Sequence, residues 1–227
     1  MTKATDHSNI RKNLLNATIN GYNLADQHGV ESDWYKTART QVAKAADLLN
    51  LPADYVAAIV AITSANCTVK TNWDRALKYL TTGDVEFCGE NCKAFDERYK
   101  ATGSCVIVGS NGKPTPKTDQ FRLNICPIWG IDNAITVDRH VFDASQGVGV
   151  IGVAITETLR YRCKTAIYSI ARELGLTPCH VQACLWVSCK YDKGHRDIGN
   201  TNGRCPFSEF LIGDHFQELL QFESVGE

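Results

Sequence analysis

The chain has 227 residues, of which 44% are hydrophobic and 22% charged, enough for one large domain or one two-lobed unit with a buried core. This composition excludes a disordered tail, a collagen-like fibre and a disulfide-stapled miniprotein. The 24 basic and 25 acidic residues leave a net charge of −1, which argues against tight non-specific binding to nucleic acid phosphates.

The first half of the chain carries helical patterns. One helix is predicted over 34–49 and ends before Pro52, which suits the first position of the next helix. That next segment, DYVAAIVAIT, is apolar nearly all round and predicts a buried central helix. A further helix is predicted over 72–80, with Gly83 as the nearby stop signal, and another is predicted over 91–100.

The segment Ser104–Ser110 breaks this helical pattern. It reads SCVIVGS, a short β-branched run, and the turn-forming residues NGKPTP follow it. Together they predict one minor β-hairpin near Val106, and a short helix is predicted after it over 117–125.

The last third of the chain predicts three more helices. One apolar stripe at helical spacing ends at Gly175, a typical C-terminal cap, and its members are Leu159, Cys163, Ala166, Ile167, Ile170 and Leu174. Thr177 and Pro178 supply the cap and first residue of a helix that runs to about Tyr191. A final helix is predicted over 208–222. The predicted fold is therefore all-α, without repeats.

Basic residues outnumber acidic ones in part of this region. Between Leu159 and Arg196 there are seven basic residues and two acidic ones. The excess indicates either a local surface for phosphate groups or an ordinary solvated helix face.

The ten cysteines have two interpretations. The first residues, MTKATDHSN, have no apolar signal core, so we expect a cytoplasmic protein with reduced thiols. Buried apolar thiols are one interpretation, and a structural metal or iron–sulfur site is the other. We expect no metal and no cofactor, because five-residue steps separate Cys179, Cys184 and Cys189 and turn each thiol by about 140°. The longest apolar run, Tyr55–Ile62, is too short to span a bilayer.

Asp138 is the first candidate for chemistry. It lies in AITVDRHVFDA, at the end of an apolar, strand-like run. A carboxylate in that position is suited to general-base work or to stabilising a developing cation, and His140 is placed to orient a neighbour or face a phosphate. The alternative is that Asp138 caps a helix beginning at Arg139. The two roles are compatible.

Lys117 is the second candidate. It opens the segment KTDQFRLNI directly after the turn. Turn amides and helix starts attract anions, so Asn111, Gly112 and Lys113 are candidate contacts to a phosphodiester. Lys117 itself is placed to meet a sugar as a Schiff-base nucleophile. The alternative is an ordinary surface lysine.

Short polar residues follow the buried central helix. Ser64, Asn66 and Thr68 are suited to a loop that meets a partner, where one side chain wedges into a duplex and fills the space left by an extruded base. The alternative is simple helix termination and capping.

These three segments, in this order, resemble the helix-hairpin-helix DNA glycosylases of the endonuclease III type. That superfamily has an early SAQxT-like loop, a hairpin ending in KTAxxxLN and a VDTHxxR segment. The matching residues here are Ser64-Ala65-Asn66-Cys67-Thr68, Lys117-Thr118-Asp119 with Leu123-Asn124, and Val137-Asp138-Arg139-His140. The resemblance covers residues 53–145.

The resemblance implies a two-lobed helical fold. Residues 53–137 would form a central lobe with the hairpin, and residues 1–52 with 138–227 would form the second lobe. Asp138 would be the catalytic carboxylate. Lys117 would be the Schiff-base lysine of a combined glycosylase and lyase.

The resemblance also implies DNA contacts. Asn66 would fill the space of the extruded base, and the hairpin would bind the DNA backbone through its amides. Ser64, Arg139 and His140 complete the candidate DNA-binding residues.

A second resemblance concerns the C-terminal part. The segment VDRH, followed by TPxxVQAxxW from Thr177 to Trp186, is similar to uncharacterised phage-encoded proteins. It implies a divergent, phage-encoded member of the superfamily that works in the host cytoplasm.

Three functions are compatible with these residues. The first is a DNA glycosylase-like enzyme that cleaves the N-glycosidic bond of an extruded, modified base, with or without lyase activity. The second is a catalytically inactive module that binds nucleic acid or protein. The third is an enzyme that acts on free nucleosides or nucleotides. We expect the first, with DNA as the partner.

Overall fold

A computed structural model describes residues 7–27, 32–65, 67, 69–128, 132–147 and 155–194. The helix predicted over 208–222 lies outside these residues, as does Asn66.

Nine helices form in the described residues, and no strand does, which confirms the all-α prediction. In chain order they are α1 (His7–Gln27), α2 (Trp34–Leu49), α3 (Ala53–Thr63), α4 (Val69–Thr82), α5 (Gly89–Thr102), α6 (Thr118–Ile125), α7 (Arg139–Gln146), α8 (Glu157–Leu174) and α9 (Pro178–Gly194). No single helix among them is long and apolar enough to cross a membrane, although α2 and α3 together, across a bend of 117°, pass the same test of length and composition.

Helix ends follow local sequence signals. The helix α2 has the predicted bounds and is followed by Asn50, whose φ of 51° is a left-handed conformation that asparagine tolerates. Gly83 (φ 72°) and Gly175 (φ 66°) end α4 and α8 as predicted. Pro52 lies one position earlier than predicted, because it has extended backbone angles and acts as the N-cap of α3.

Contacts group the described residues into two compact units. The first unit contains the residues up to Lys36 and those from 132 to 194, and the second contains 37–128. Compared with the predicted lobes, residues 37–52 group with the hairpin and 132–137 group with Asp138. Asp138 therefore belongs to the first unit and Lys117 to the second.

The first unit is built around α1, a helix that the sequence patterns above do not predict. This helix packs against α7, α8 and α9. Their shared core is apolar and almost fully buried, and it consists of Ile10, Leu14, Ile135, Val137, Val141, Phe142, Cys163, Ala166, Ile167, Ile170, Ala171, Val181 and Leu185.

Gly21 marks a close approach between α1 and α9. A Cβ atom at Gly21 would lie 2.0 Å from the carbonyl oxygen of Cys184 and 2.7 Å from its carbonyl carbon. One residue earlier, the Asn20 side chain donates a 3.0 Å hydrogen bond to Ser188 Oγ. The two backbones can lie this close only because glycine has no side chain.

The second unit surrounds α3 with α4, α5 and α6. Residues from Val56 to Thr63 are buried, which confirms the predicted buried central helix. Asp96 of α5 ties three helices together, since its two carboxylate oxygens each accept a 2.6 Å hydrogen bond, one from Tyr55 of α3 and one from Tyr79 of α4.

The predicted hairpin is a tight turn closed by an isolated antiparallel bridge between Val108 and Pro114. Buried Asp119 fixes the residues that lead into this turn, because its carboxylate accepts hydrogen bonds from the Ile107 amide and from Arg122 Nε, each at 2.9 Å. The turn is thereby fixed to the start of α6.

The cysteines in the described residues are free thiols, and most of them are buried. No group of three or more metal-ligating side chains occurs in this part of the chain. Burial raises the pKa of Cys92 and Cys105 to about 12 and that of Cys163 to about 11. These thiols are protonated at neutral pH and pack as small apolar groups, the first of the two interpretations above.

Raising the pH above about 9 is expected to destabilise the protein, because an unfolded thiol loses its proton there while these three keep theirs. The folded-state pKa is the higher one, so the contribution is complete below about pH 9 and is lost as the pH rises toward 11 or 12. Each thiol contributes up to about 1.4 kcal/mol per pH unit. Urea unfolding from about pH 8 to about pH 11 measures the loss.

The matched control is Cys92→Ala, which removes one of these thiols. Its unfolding free energy should fall less steeply with pH than that of the parent. A parent protein whose unfolding free energy stays constant over the same range would contradict this prediction.

Candidate active site

Asp138 is held in place by a buried segment and a helix start. Residues Ala134–Val137, which belong to no helix, are buried and lead directly to it. Asp138 Oδ1 then accepts hydrogen bonds from the amides of His140 at 2.9 Å and Val141 at 3.1 Å. Asp138 therefore is the N-cap of α7, as the alternative interpretation predicted.

The second carboxylate oxygen has a different environment. Within the described part of the chain no hydrogen bond reaches Asp138 Oδ2. Asp138 is half-buried, and the two helix amides hold only one of its two carboxylate oxygens. A carboxylate oriented in this way can accept a proton or face a positive charge without reorganising.

Aromatic side chains form a cluster in the same unit. The ring of Trp34 stacks on Tyr35 at 4.0 Å between centroids and lies 5.6 Å from Trp186. The His140 ring meets Trp186 edge-on at 5.8 Å, and Lys190 Nζ lies 5.1 Å from the centre of the Trp186 ring. Because His140 is two residues after Asp138, the cluster adjoins the carboxylate.

Tyr35 connects this cluster to Asp138 electrostatically. Its hydroxyl donates to the buried Gln182 side chain. Burial raises the pKa of Tyr35 well above its ordinary value, and the nearby Cys179 and Asp138 raise it further. Tyr35 is therefore a neutral hydrogen-bond donor at physiological pH and has no role as a base.

Positive charge also adjoins Asp138. Arg160 Nη1 donates a 2.8 Å hydrogen bond to the carbonyl of Val137, the residue before Asp138. Arg139, the residue after it, is exposed. Two arginines therefore flank Asp138, one through a contact to the preceding residue and one in the sequence, and positive charge in this region suits an anionic substrate.

Lys117 lies in the second unit, immediately before α6. The structure places it at the N-cap position of this helix, one residue earlier than predicted, with no capping hydrogen bond from its side chain. The lysine side chain is exposed. The two candidate catalytic residues therefore belong to different units.

The turn before Lys117 uses most of its own amides. The Gly109 amide donates to the carbonyl of Lys113, and the Gly112 amide donates to the carbonyl of Gly109, each at 2.9 Å. Asn111 Oδ1 accepts from the Lys113 amide at 3.0 Å, and Pro114 has no amide to offer. The exposed Lys113 side chain is still a candidate for a phosphate contact in this turn.

Ser64 follows α3 as its C-cap, and its hydroxyl donates to the carbonyl of Ala61 at 2.8 Å. This hydrogen bond fits the capping alternative. Asn66 lies outside the described residues, so its predicted DNA contact stays a prediction.

Several residues near Asp138 were not predicted from the sequence. No recognisable motif marks Trp34, Tyr35 or Arg160, because their relation to Asp138 depends on the packing of α2, α8 and α9. Gln182 and Trp186 belong to the TPxxVQAxxW segment, which was the available signal.

One groove of about 230 Å³ occurs elsewhere in the first unit. Its lining consists of Thr18, Ile19, Tyr22, Asn23, Leu174 and Leu176. None of these residues belongs to the cluster around Asp138.

A comparison with known proteins identifies the family. The chain belongs to a family of unknown function, DUF7178, whose family model matches residues 1–193. No curated protein and no solved structure matches the chain.

Proposed function

We propose that this DUF7178 protein is a glycosylase-like enzyme that cleaves the N-glycosidic bond of a base extruded from DNA, with Asp138 as its catalytic carboxylate. The observation that carries the proposal is that the two oxygens of the Asp138 carboxylate differ in their hydrogen bonds. One oxygen is held by two helix amides, no hydrogen bond from the described residues reaches the other, and the aromatic cluster includes His140, two residues further along the chain. The resemblance of residues 53–145 to helix-hairpin-helix glycosylases supports the same assignment.

The chemistry suits this arrangement. When the bond between the sugar C1′ and the base nitrogen breaks, the base takes the electron pair and positive charge grows on the sugar. A fixed carboxylate stabilises that charge more than it stabilises the neutral substrate. Water then adds to C1′ and gives its proton to Asp138 Oδ2.

The aromatic cluster would serve base extrusion. An extruded base requires stacking partners to offset the loss of its neighbours in the duplex. Trp34 and Trp186 are the aromatic side chains that would supply this stacking, and His140 and Lys190 would supply polar contacts beside them.

The experiment that tests the proposal is chromatography of free bases released from duplex DNA. A panel of duplexes with damaged and phage-type modified bases is incubated with the full chain. Release of one base, with first-order kinetics in excess enzyme, is the expected result. If no duplex in the panel releases a base, the proposal fails.

Lys117 is proposed as a lyase residue. In the lyase reaction its primary amine, in place of water, would attack C1′, displace the base and form a Schiff base after the sugar ring opens. Borohydride should then reduce the imine and trap a covalent complex of protein and DNA. We expect Lys117→Ala to abolish trapping, while Lys100→Ala, which removes another exposed lysine of the same unit, retains it. Undiminished trapping by Lys117→Ala would remove this role.

A free nucleoside or nucleotide is the second candidate substrate. The turn amides that would hold a DNA backbone are mostly used inside the turn, and the net charge is −1. Both features favour a small substrate over a long polyanion. Release of base from a nucleoside 5′-monophosphate, with none from duplex DNA, would support this candidate over the first.

A further inference from the structure

Arg160 is an anchored cation in the first turn of α8. Its Nη1 atom is held by the Val137 carbonyl, and its side chain is only 15% exposed. Its nearest carboxylate is Glu157, with Oε1 at 3.5 Å from Nε, but that side chain is 84% exposed. An ion pair with so exposed a partner is screened by solvent and neutralises little of the guanidinium charge.

Lys164 lies one turn further along the same helix. Residues four positions apart on a helix are neighbours, so its ammonium group approaches Arg160. The Lys164 side chain is half-buried, and no carboxylate of the described residues lies within ion-pair distance of it. Burial lowers the pKa of Lys164, and the charge of Arg160 lowers it further.

Two neighbouring cations, both partly withdrawn from water, repel each other. Two other cations of the described residues do have a well-placed carboxylate partner: Arg11 pairs with Glu173 at the other end of α8, and buried Arg122 pairs with Asp119. The pair formed by Arg160 and Lys164 has only the exposed Glu157. An anion bound between the two would remove the repulsion.

We propose that Arg160 and Lys164 bind a phosphate group of the nucleotide whose sugar lies at Asp138. Arg160 is positioned for this by its hydrogen bond to the residue before Asp138. The inference rests on the proposed function and names the part of the substrate that flanks the reacting sugar. The phosphate belongs either to the DNA backbone or to a free nucleotide.

The test measures binding of a short fluorescent DNA duplex to the full chain as a function of salt concentration. Lys164→Gln should weaken binding about tenfold at low salt and reduce the salt dependence by about one phosphate contact. Lys164→Arg, which keeps the charge, should restore both. The matched control is Arg172→Gln, which removes an exposed charge from the same helix and should leave both unchanged.

A second arm distinguishes the source of the phosphate. Adenosine 5′-monophosphate and adenosine are compared as ligands of the parent chain and of Lys164→Gln. Loss of preference for the monophosphate in Lys164→Gln, with unchanged DNA binding, assigns the site to a free nucleotide. If Lys164→Gln alters neither DNA binding nor this preference, the inference is overturned.

These outcomes are separable from the proposed function. Base release depends on Asp138 and is measured independently of affinity. A parent chain that binds DNA through Lys164 but releases no base keeps the inference and ends the glycosylase proposal. If the parent releases base and Lys164→Gln binds DNA as tightly as the parent, the glycosylase proposal is kept and the inference about Lys164 fails.

Discussion

Asp138→Asn is expected to slow base release about 10³-fold while leaving the melting temperature almost unchanged. The asparagine amide oxygen can still accept the hydrogen bonds from the His140 and Val141 amides, so the cap of α7 is preserved. The negative charge and the proton acceptor are lost. Rate and thermal unfolding are measured on the same preparation.

Asp138→Ala separates the two roles of this residue. It removes both the charge and the cap, so activity should fall as in Asp138→Asn and the unfolding free energy should fall by about 1 kcal/mol. The control is Thr156→Ala, since Thr156 caps α8 by accepting from the Leu159 amide at 3.2 Å. Thr156→Ala should lose stability and keep activity. Full base release by Asp138→Asn would assign Asp138 to capping alone.

Gly21→Ala is expected to destabilise the protein by about 3 kcal/mol or more. The new methyl group would lie 2.0 Å from the Cys184 carbonyl oxygen, and a backbone atom cannot rotate away as a side chain does. The helices α1 and α9 would have to separate, which opens the core around Leu14 and Leu185. Thermal unfolding should show a melting temperature lower by about 10 °C.

Gly89→Ala is the matched control for this substitution. Gly89 is the first residue of α5, and a Cβ atom there would meet no atom within 4 Å. Because alanine favours helix over glycine, this variant should be as stable as the parent or more so. Equal melting temperatures for Gly21→Ala and the parent would show that α1 and α9 do not approach as closely as described.

The predicted helices match the structure where local signals are strong. Gly175 ends α8 because the residue after a helix commonly adopts positive φ, which glycine does without strain, so the sequence reveals this end directly. Thr177 caps α9 through its hydroxyl, which accepts from the His180 amide at 3.1 Å. These features depend on the nearest three or four residues.

The helix α1 is hidden in the sequence for a physical reason. It contains five asparagines and a glycine, all weak helix formers, and its buried stripe includes Thr18 and Gly21 where an apolar side chain is expected. The close approach to α9 requires a small residue at Gly21, so the requirement of tertiary packing removes the local signal.

The candidate site was only partly predictable. Asp138 and its cap follow from one short segment, whereas Tyr35 and Arg160 reach it from distant parts of the chain. The turn before Lys117 shows that a sequence motif does not reveal which backbone amides are already hydrogen-bonded.

In the proposed reaction, the Asp138 carboxylate stabilises positive charge on a sugar. This role is tested by comparing the affinity of the chain for two DNA duplexes, one with a cationic pyrrolidine in place of a nucleoside and one with a neutral tetrahydrofuran there. The parent should prefer the cationic duplex by at least about 100-fold, and Asp138→Asn should lose this preference. Equal affinity of the parent for both duplexes would contradict it.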